Sequence, residues 1–321
     1  MEAMNVSPWV WIGFTTFVLG MLALDLGVFH RQAHVVGFRE ALNWSLVCVG
    51  LAGLFNAGIY HWYGGEKALE FTTGYLIEMA LSVDNIFVFL VLFSYFAVPP
   101  ALQHRVLFWG VLGALVMRAV FIALGSVLLQ EFHWVIYIFG GLLVLTGIRL
   151  LLHKDAELHP ERNPLYRLFK RYVPAVEDYR GSCFLVREGG RWLATPLLLV
   201  LVLVEATDLV FAIDSIPAIF AVTSDTFIVY TSNIFAILGL RSLFFVLAGV
   251  VEKFHHLKTG LALVLAFVGA KMLLIDVYKI PIAISLGVVV TLIGGAIALS
   301  LLRPKAQTPA LATERVAAQG G

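Results

Sequence analysis

The chain has 321 residues, 60% of them apolar and 13% charged, with a formal net charge of +1 and a mean hydropathy of +0.91. A water-soluble domain runs at about 45–50% apolar and about 25% charged, so a soluble fold is excluded. The net charge is near zero and no basic array tracks a phosphate backbone, so nothing points to a nucleic-acid partner and none is expected.

A spanning helix needs about 20 apolar residues, which leaves room for roughly nine or ten spans. Apolar runs predict nine helices, at 8–29, 41–62, 72–97, 105–128, 133–152, 193–222, 228–251, 258–276 and 281–302. The first reads as an uncleaved span. Glu2 is the sole charge before it, and no small-residue cleavage site follows. The fold class expected is all-α: a polytopic membrane protein with one transmembrane domain over 1–302. Between the fifth and sixth spans, segment 153–192 is the sizeable soluble piece. Its alternating charges and RLFKRYVP (167–174) predict a surface helix on anionic lipid headgroups, with protein docking as the second option. The tail 303–321, rich in Ala, Gln, Thr and Pro, is expected to be disordered. Cys48 falls in a span and Cys183 in a polar loop, so no disulfide framework is indicated.

Basic residues set the orientation. Sixteen Lys and Arg fall on one side: two after span 1, Arg105 after span 3, eight in 153–192, Lys253 and Lys258 after span 7, and three in the tail. The other side holds Lys67 and Lys279. The rich side should be cytoplasmic, with the N-terminus outside and the C-terminus inside a bacterial inner membrane. An odd number of spans agrees.

Two stretches resemble each other. LSVDNIF (81–87) matches FAIDSIP (211–217), aligning Asp84 with Asp214, and six residues earlier stand Glu78 and Asp208. Gly110 to Arg118 has the spacing of Asn233 to Arg241, and Gly147-Ile148-Arg149 matches Gly269-Ala270-Lys271. The repeat covers helices 3–5 (72–152) and helices 6–8 (193–276), with 281–302 as a last helix. Three spans per unit is odd, so the copies enter from opposite faces. Secondary transporters use this inverted arrangement around a midplane site.

Charges inside a bilayer are costly and mark function. The mid-span acids are Asp25, Glu78, Asp84, Glu205, Asp208 and Asp214, and the mid-span bases are Arg118 and Arg241. Arg149 and Lys271 sit nearer span ends, where they can snorkel. Glu78 and Asp84 stand about 120° apart on a straight helix and cannot both grip one small ion unless the helix is broken, for which the polar cluster Ser82, Asp84 and Asn85 is the expected place. Glu205 and Asp208 can share a face. Pro217 predicts a kink or unwound turn beside Asp214. All nine histidines lie in loops or near span ends. Carboxylate, amide and hydroxyl oxygens suit a hard divalent ion, Mg, Ca or Mn, as cargo, with no resident cofactor. Desolvated carboxylates also suit proton exchange. The expected site is central. Asp84 and Asp214 face each other within about 8 Å, close enough for one ion or water to bridge them. Glu78, Glu205 or Asp208 completes the shell, and Asn85 and Ser215 are secondary candidates. Asp25, taken alone, fits either an ion ligand or a helix-gluing ion pair. Arg118 and Arg241 are expected counterions of the ion-free state.

The segments GYLIEMALSVDNIFVFLVLFSYF (74–96), LVEATDLVFAIDSIPAIFAVT (203–223) and SNIFAILGLRSLFF (232–245) resemble the TerC family of bacterial membrane proteins, and in length and loop placement its Alx branch. The resemblance implies export of Mn²⁺, membership of the LysE-type transporter superfamily and a link to tellurium resistance. It places Glu78, Asp84, Glu205, Asp208 and Asp214 on the family's acidic positions. An acid-lined site repels tellurium oxyanions, so that link is expected to be indirect. No Gly-rich P-loop is present, so an ion gradient or the membrane potential must supply the energy. Two readings compete with transport. One is a membrane partner in metal delivery. The other is an aspartyl protease using Asp84 and Asp214, whose GxGD and YD motifs are missing here. No enzyme activity is expected.

Overall fold

A computed structural model describes residues 6–24, 36–132, 134–152, 164–188, 190–248 and 256–302. The tail 303–321, Asp25 and the Asp84 side chain lie outside the described set.

The helices are α1 (Pro8–Leu24), α2 (Phe38–Tyr63), α3 (Gly65–Tyr95), α4 (Pro100–Glu131), α5 (Val135–Leu152) and α6 (Pro164–Tyr172), then α7 (Pro196–Phe220), α8 (Thr226–Ala248), α9 (Leu257–Leu273) and α10 (Ile282–Leu302). Between α6 and α7 stand strands β1 (Leu185–Glu188) and β2 (Arg191–Ala194). Helices α2, α3, α4, α5, α7, α8 and α10 are each long and apolar enough to cross a membrane. The chain is therefore an all-α, multi-pass integral membrane protein. Helices α1 and α9, of 17 residues each, rise about 26 Å, slightly short of a bilayer core.

Local chemistry sets the helix ends. Prolines open α4 and α7, where a missing N–H costs nothing. Gly64, at φ +91, reverses the chain between α2 and α3. Asp225 caps α8, its Oδ1 accepting the N–H groups of Phe227 at 3.0 Å and Ile228 at 3.3 Å. Among the spanning helices α8 is the most buried, and α2 and α10 are the least.

Two antiparallel crossings organise the middle. Along α3 and α7 the contacts run in reverse register. Glu70 meets Thr223, Gly74 meets Ile219, Glu78 meets Ser215 and Asn85 meets Asp208. Each step forward on one helix is matched by an equal step back on the other. Along α5 and α9 the backbones touch. A Cβ at Gly147 would lie 2.7 Å from the Ala262 carbonyl, and a Cβ at Gly269 would lie 2.7 Å from the Gly140 carbonyl. Small residues permit such approach in a membrane, where dispersion packing holds helices together.

Three expectations change. Helix α3 begins at Gly65, seven residues before the predicted 72, because Glu66, Lys67 and Glu70 continue the helix beyond its apolar run. Helix α7 continues through Pro217 to Phe220 without an unwound turn. That proline stands in the last turn, so the ring deprives a single carbonyl, that of Ile213, of its donor. The surface segment is a helix over 164–172 followed by a β-hairpin, in the register Leu185–Ala194 to Glu188–Arg191. Here Leu185, Val186, Trp192 and Leu193 favour strand, and Gly190, at φ +78, favours the turn. The hairpin region is tied to the α3–α4 turn. Tyr179 donates its O–H to the Phe96 carbonyl at 2.7 Å, and Arg105 donates to Ser182 Oγ at 3.0 Å.

Candidate ion site

Arg118 of α4 stands at the centre of the bundle with 1% of its surface exposed. A guanidinium cannot be left unpaired there. Its Nη1 pairs with Oε1 of Glu78 from α3. Its Nη2 and Nε donate to Asp208 of α7, at 3.1 Å to Oδ1 and 3.4 Å to Oδ2. This fork is the geometry that guanidinium and carboxylate share. Nη1 also donates to Ser215 Oγ at 3.2 Å, so Ser215 and Glu78 meet at one guanidinium nitrogen. Asn85 Nδ2 donates to Asp208 Oδ1 at 3.1 Å. Glu78, Asn85, Asp208 and Ser215 are all buried.

One guanidinium serves two carboxyl groups, so ionisation of both would leave a negative excess. Two acceptor atoms, Glu78 Oε2 and Asn85 Oδ1, are buried with no hydrogen-bond donor. Buried acceptors left over are unusual in native structures. Beside Asn85 lies a cavity of ≈ 40 Å³, lined by Asn85, Arg118, Thr146, Asp214 and Ser215 together with the apolar Leu81, Leu150, Phe211 and Leu265. That volume admits a water or a small cation. Asp214 is half-buried at its wall, its Oδ1 accepting the Thr146 hydroxyl at 3.0 Å.

The remaining sequence candidates are placed as follows. Glu205, one turn before Asp208, turns its carboxylate against α4 at Gly113, where a Cβ would stand 1.9 Å from Oε1. Arg241 is buried in α8 and lines cavities with Trp44 and Cys48 of α2. Glu78, Glu205, Asp208 and Asp214 line neither of those cavities. Asp84 lies on α3 between Glu78 and Asn85; its carboxylate, like Asp25, falls outside the described residues, so its separation from Asp214 does too. Among the described residues no three His, Cys, Asp or Glu side chains gather around one metal-sized point. Arg118 occupies the space between the two central acids instead.

Sequence reasoning missed Gly113 and Thr146, neither of which carries charge. It also missed a second buried ion pair. Glu70, fully buried, accepts Lys67 Nζ at 2.9 Å and the Thr223 hydroxyl at 2.6 Å. Glu70 lay just outside the predicted span, which is why it escaped notice; its i, i+3 spacing from Lys67 was the available signal.

Comparison with known proteins agrees with this architecture. The family model described as "Integral membrane protein TerC family" matches residues 63–308, and the chain belongs to that family. It is 57% identical over 299 residues to an uncharacterised membrane protein of Myxococcus xanthus, covering 93% of this chain and 94% of the relative. It is 51% identical over 293 residues to the Alx protein of Escherichia coli (strain K12), which is described provisionally as a membrane-bound redox modulator; the match covers 88% and 91%. A membrane protein of Rickettsia bellii is 43% identical over 293 residues, covering 91% and 97%. No solved structure matches.

Proposed function

We propose that this chain is a secondary transporter that exports a hard divalent cation, Mn²⁺ foremost, across the bacterial inner membrane in exchange for protons. The observation that carries this reading is the shared guanidinium: two buried acids from antiparallel helices hold one Arg118, with donor-less oxygens and, alongside, a small cavity into which Asn85, Arg118, Thr146, Asp214 and Ser215 reach between apolar walls. A buried anionic excess of this kind attracts a cation or a proton. In the cation-free form Arg118 neutralises Glu78 and Asp208. An arriving divalent ion competes for the same oxygens, with Asp84, Asp214 and Glu205 as further ligands along the path, and Arg118 gives way. Carboxylate, amide and hydroxyl oxygens form a hard donor set that fits Mn²⁺ and also Ca²⁺.

The exchange of partners between α3 and α7 supports an inverted repeat. Glu78 with Ser215, and Asp208 with Asn85, are the same contact with the copies exchanged. Gly147 with Ala262, and Gly269 with Gly140, behave alike. Such symmetry allows the site to face either side in turn. The Lys and Arg bias supports a cytoplasmic hairpin and an outward α3 N-terminus.

The redox description of the Escherichia coli relative fits this reading if redox balance responds to the exported ion. Cys48 is buried on α2 and Cys183 is exposed in the hairpin region, and the two are not joined in a disulfide. The test is uptake of Mn²⁺, Ca²⁺, Mg²⁺ and Zn²⁺ into inverted vesicles at defined pH. Mn²⁺ uptake driven by an acid interior supports the reading. Vesicles that accumulate none of these ions, with the protein present and folded, overturn it in favour of a non-transport partner.

A further inference from the structure

The second buried ion pair has a mechanical use. At the outer end of the α3–α7 crossing, Lys67 Nζ lies 2.9 Å from Glu70 Oε2 and 4.0 Å from Asp225 Oδ2. Thr223, in the turn between α7 and α8, donates its hydroxyl to Glu70 at 2.6 Å. The same oxygen accepts the Asp225 N–H at 3.1 Å. One hydroxyl thus connects α3 to the cap of α8. Glu70, Thr223 and Asp225 are buried, and the Lys67 side chain is 15% exposed. Glu70 also attracts Lys271 of α9. Just inside this cluster, on the way to Glu78, Gly74 packs tightly. A Cβ there would lie 2.9 Å from Ser232 Oγ and 3.2 Å from Ile219 Cγ2. Glu70 stands about 12 Å outward of Glu78 along α3.

We propose that Lys67, Glu70, Thr223 and Asp225 form a latch that holds the outer ends of α3, α7 and α8 together and keeps the seal at Gly74 and Ser232 closed over the central acids. This deepens the transport reading, on which it rests for its purpose, by assigning the outer gate. Release requires parting Lys67 from Asp225 and breaking the hydrogen bond from Thr223 to Glu70; the Lys67–Glu70 pair lies within α3, keeps both groups charged and in place, and survives the opening. The two contacts that break lie at one level of the bundle, so they part together when the helix ends separate.

The test reads access to the seal directly. Ser232→Cys is introduced into the full chain carrying Cys48→Ala and Cys183→Ser, and a membrane-impermeant thiol reagent is applied from outside. With the latch intact, modification is slow. Thr223→Val, which keeps shape and removes the donor, and Lys67→Gln should each raise the rate by at least about tenfold, the equilibrium worth of one hydrogen bond to a charge. Equal rates in all three backgrounds, with each protein eluting as a single folded species, overturn the latch. Faster labelling in vesicles that move no metal keeps the latch and rejects the transport reading. Metal flux with unchanged labelling does the reverse.

Discussion

Asn85 and Asp208, 123 positions apart, meet at 3.1 Å on the same carboxylate oxygen that receives Arg118 Nη2. Asp208 is therefore tied to α3 by an amide and to α4 by a guanidinium. It cannot turn toward an incoming ion until one of these contacts breaks.

Removing Arg118 should be the more damaging change to the fold. Arg118→Met leaves two buried carboxylates facing each other and should cost about 3–5 kcal/mol. Adding Glu78→Gln should recover part of that loss, because the two changes share one interaction. Thermal unfolding of the single and double variants in detergent measures both values. Strict additivity would mean that Arg118 and Glu78 are independent.

Glu78→Gln, Asp84→Asn, Glu205→Gln, Asp208→Asn and Asp214→Asn should each abolish manganese tolerance while the protein still inserts. Neutralising an acid eases insertion into a bilayer and removes an ion ligand. Growth on excess Mn²⁺, beside immunoblots of the membrane fraction, separates the two effects. Full tolerance in three of these variants would dissociate the acids from the ion path.

Gly113→Ala alters the site without altering a charge. The new methyl group would overlap the Glu205 carboxylate, the far end of a flexible side chain, which can swing aside at little cost in stability. The variant should express and melt like the parent while its KM for Mn²⁺ rises several-fold. An unchanged KM would show that the seat of Glu205 against α4 is irrelevant to the ion.

Gly147→Ala and Gly269→Ala should lower stability by about 1–3 kcal/mol each, since the added methyl meets backbone, which cannot move aside. Gly287→Ala and Gly294→Ala on α10 have nothing within 4 Å and should be neutral or gain up to about 1 kcal/mol of helix propensity. Melting temperatures of the four variants test the contrast.

The sequence made the spans legible because apolar length is a direct requirement of the bilayer. It made the central acids legible because a charge in such a span is conspicuous. It did not reveal which base they share. Arg118 and Arg241 hold matching positions in the repeat, yet a single guanidinium fits between Glu78 and Asp208, and spacing cannot tell which of two equivalent helices supplies it. Glu70 was hidden because charged residues at a helix start look like loop. Pro217 misled because a proline in a last turn costs far less than one in mid-helix. The hairpin at 185–194 is obscured by its charges, which suggest a surface helix on anionic headgroups. Gly113 matters through the volume it leaves empty, and composition does not show that.

The contact of α5 with α9 behaves differently from the polar seam between α3 and α7. Ion pairs and hydroxyls can trade partners, but carbonyls pressed against glycines have no second arrangement of equal closeness. Where Gly147 and Gly269 bring two backbones together, the helices can tilt but not slide. In the transport cycle proposed above, this crossing serves as the fulcrum: opening one end of the molecule turns about it and closes the other, and the central acids keep their depth in the membrane as the opening changes sides.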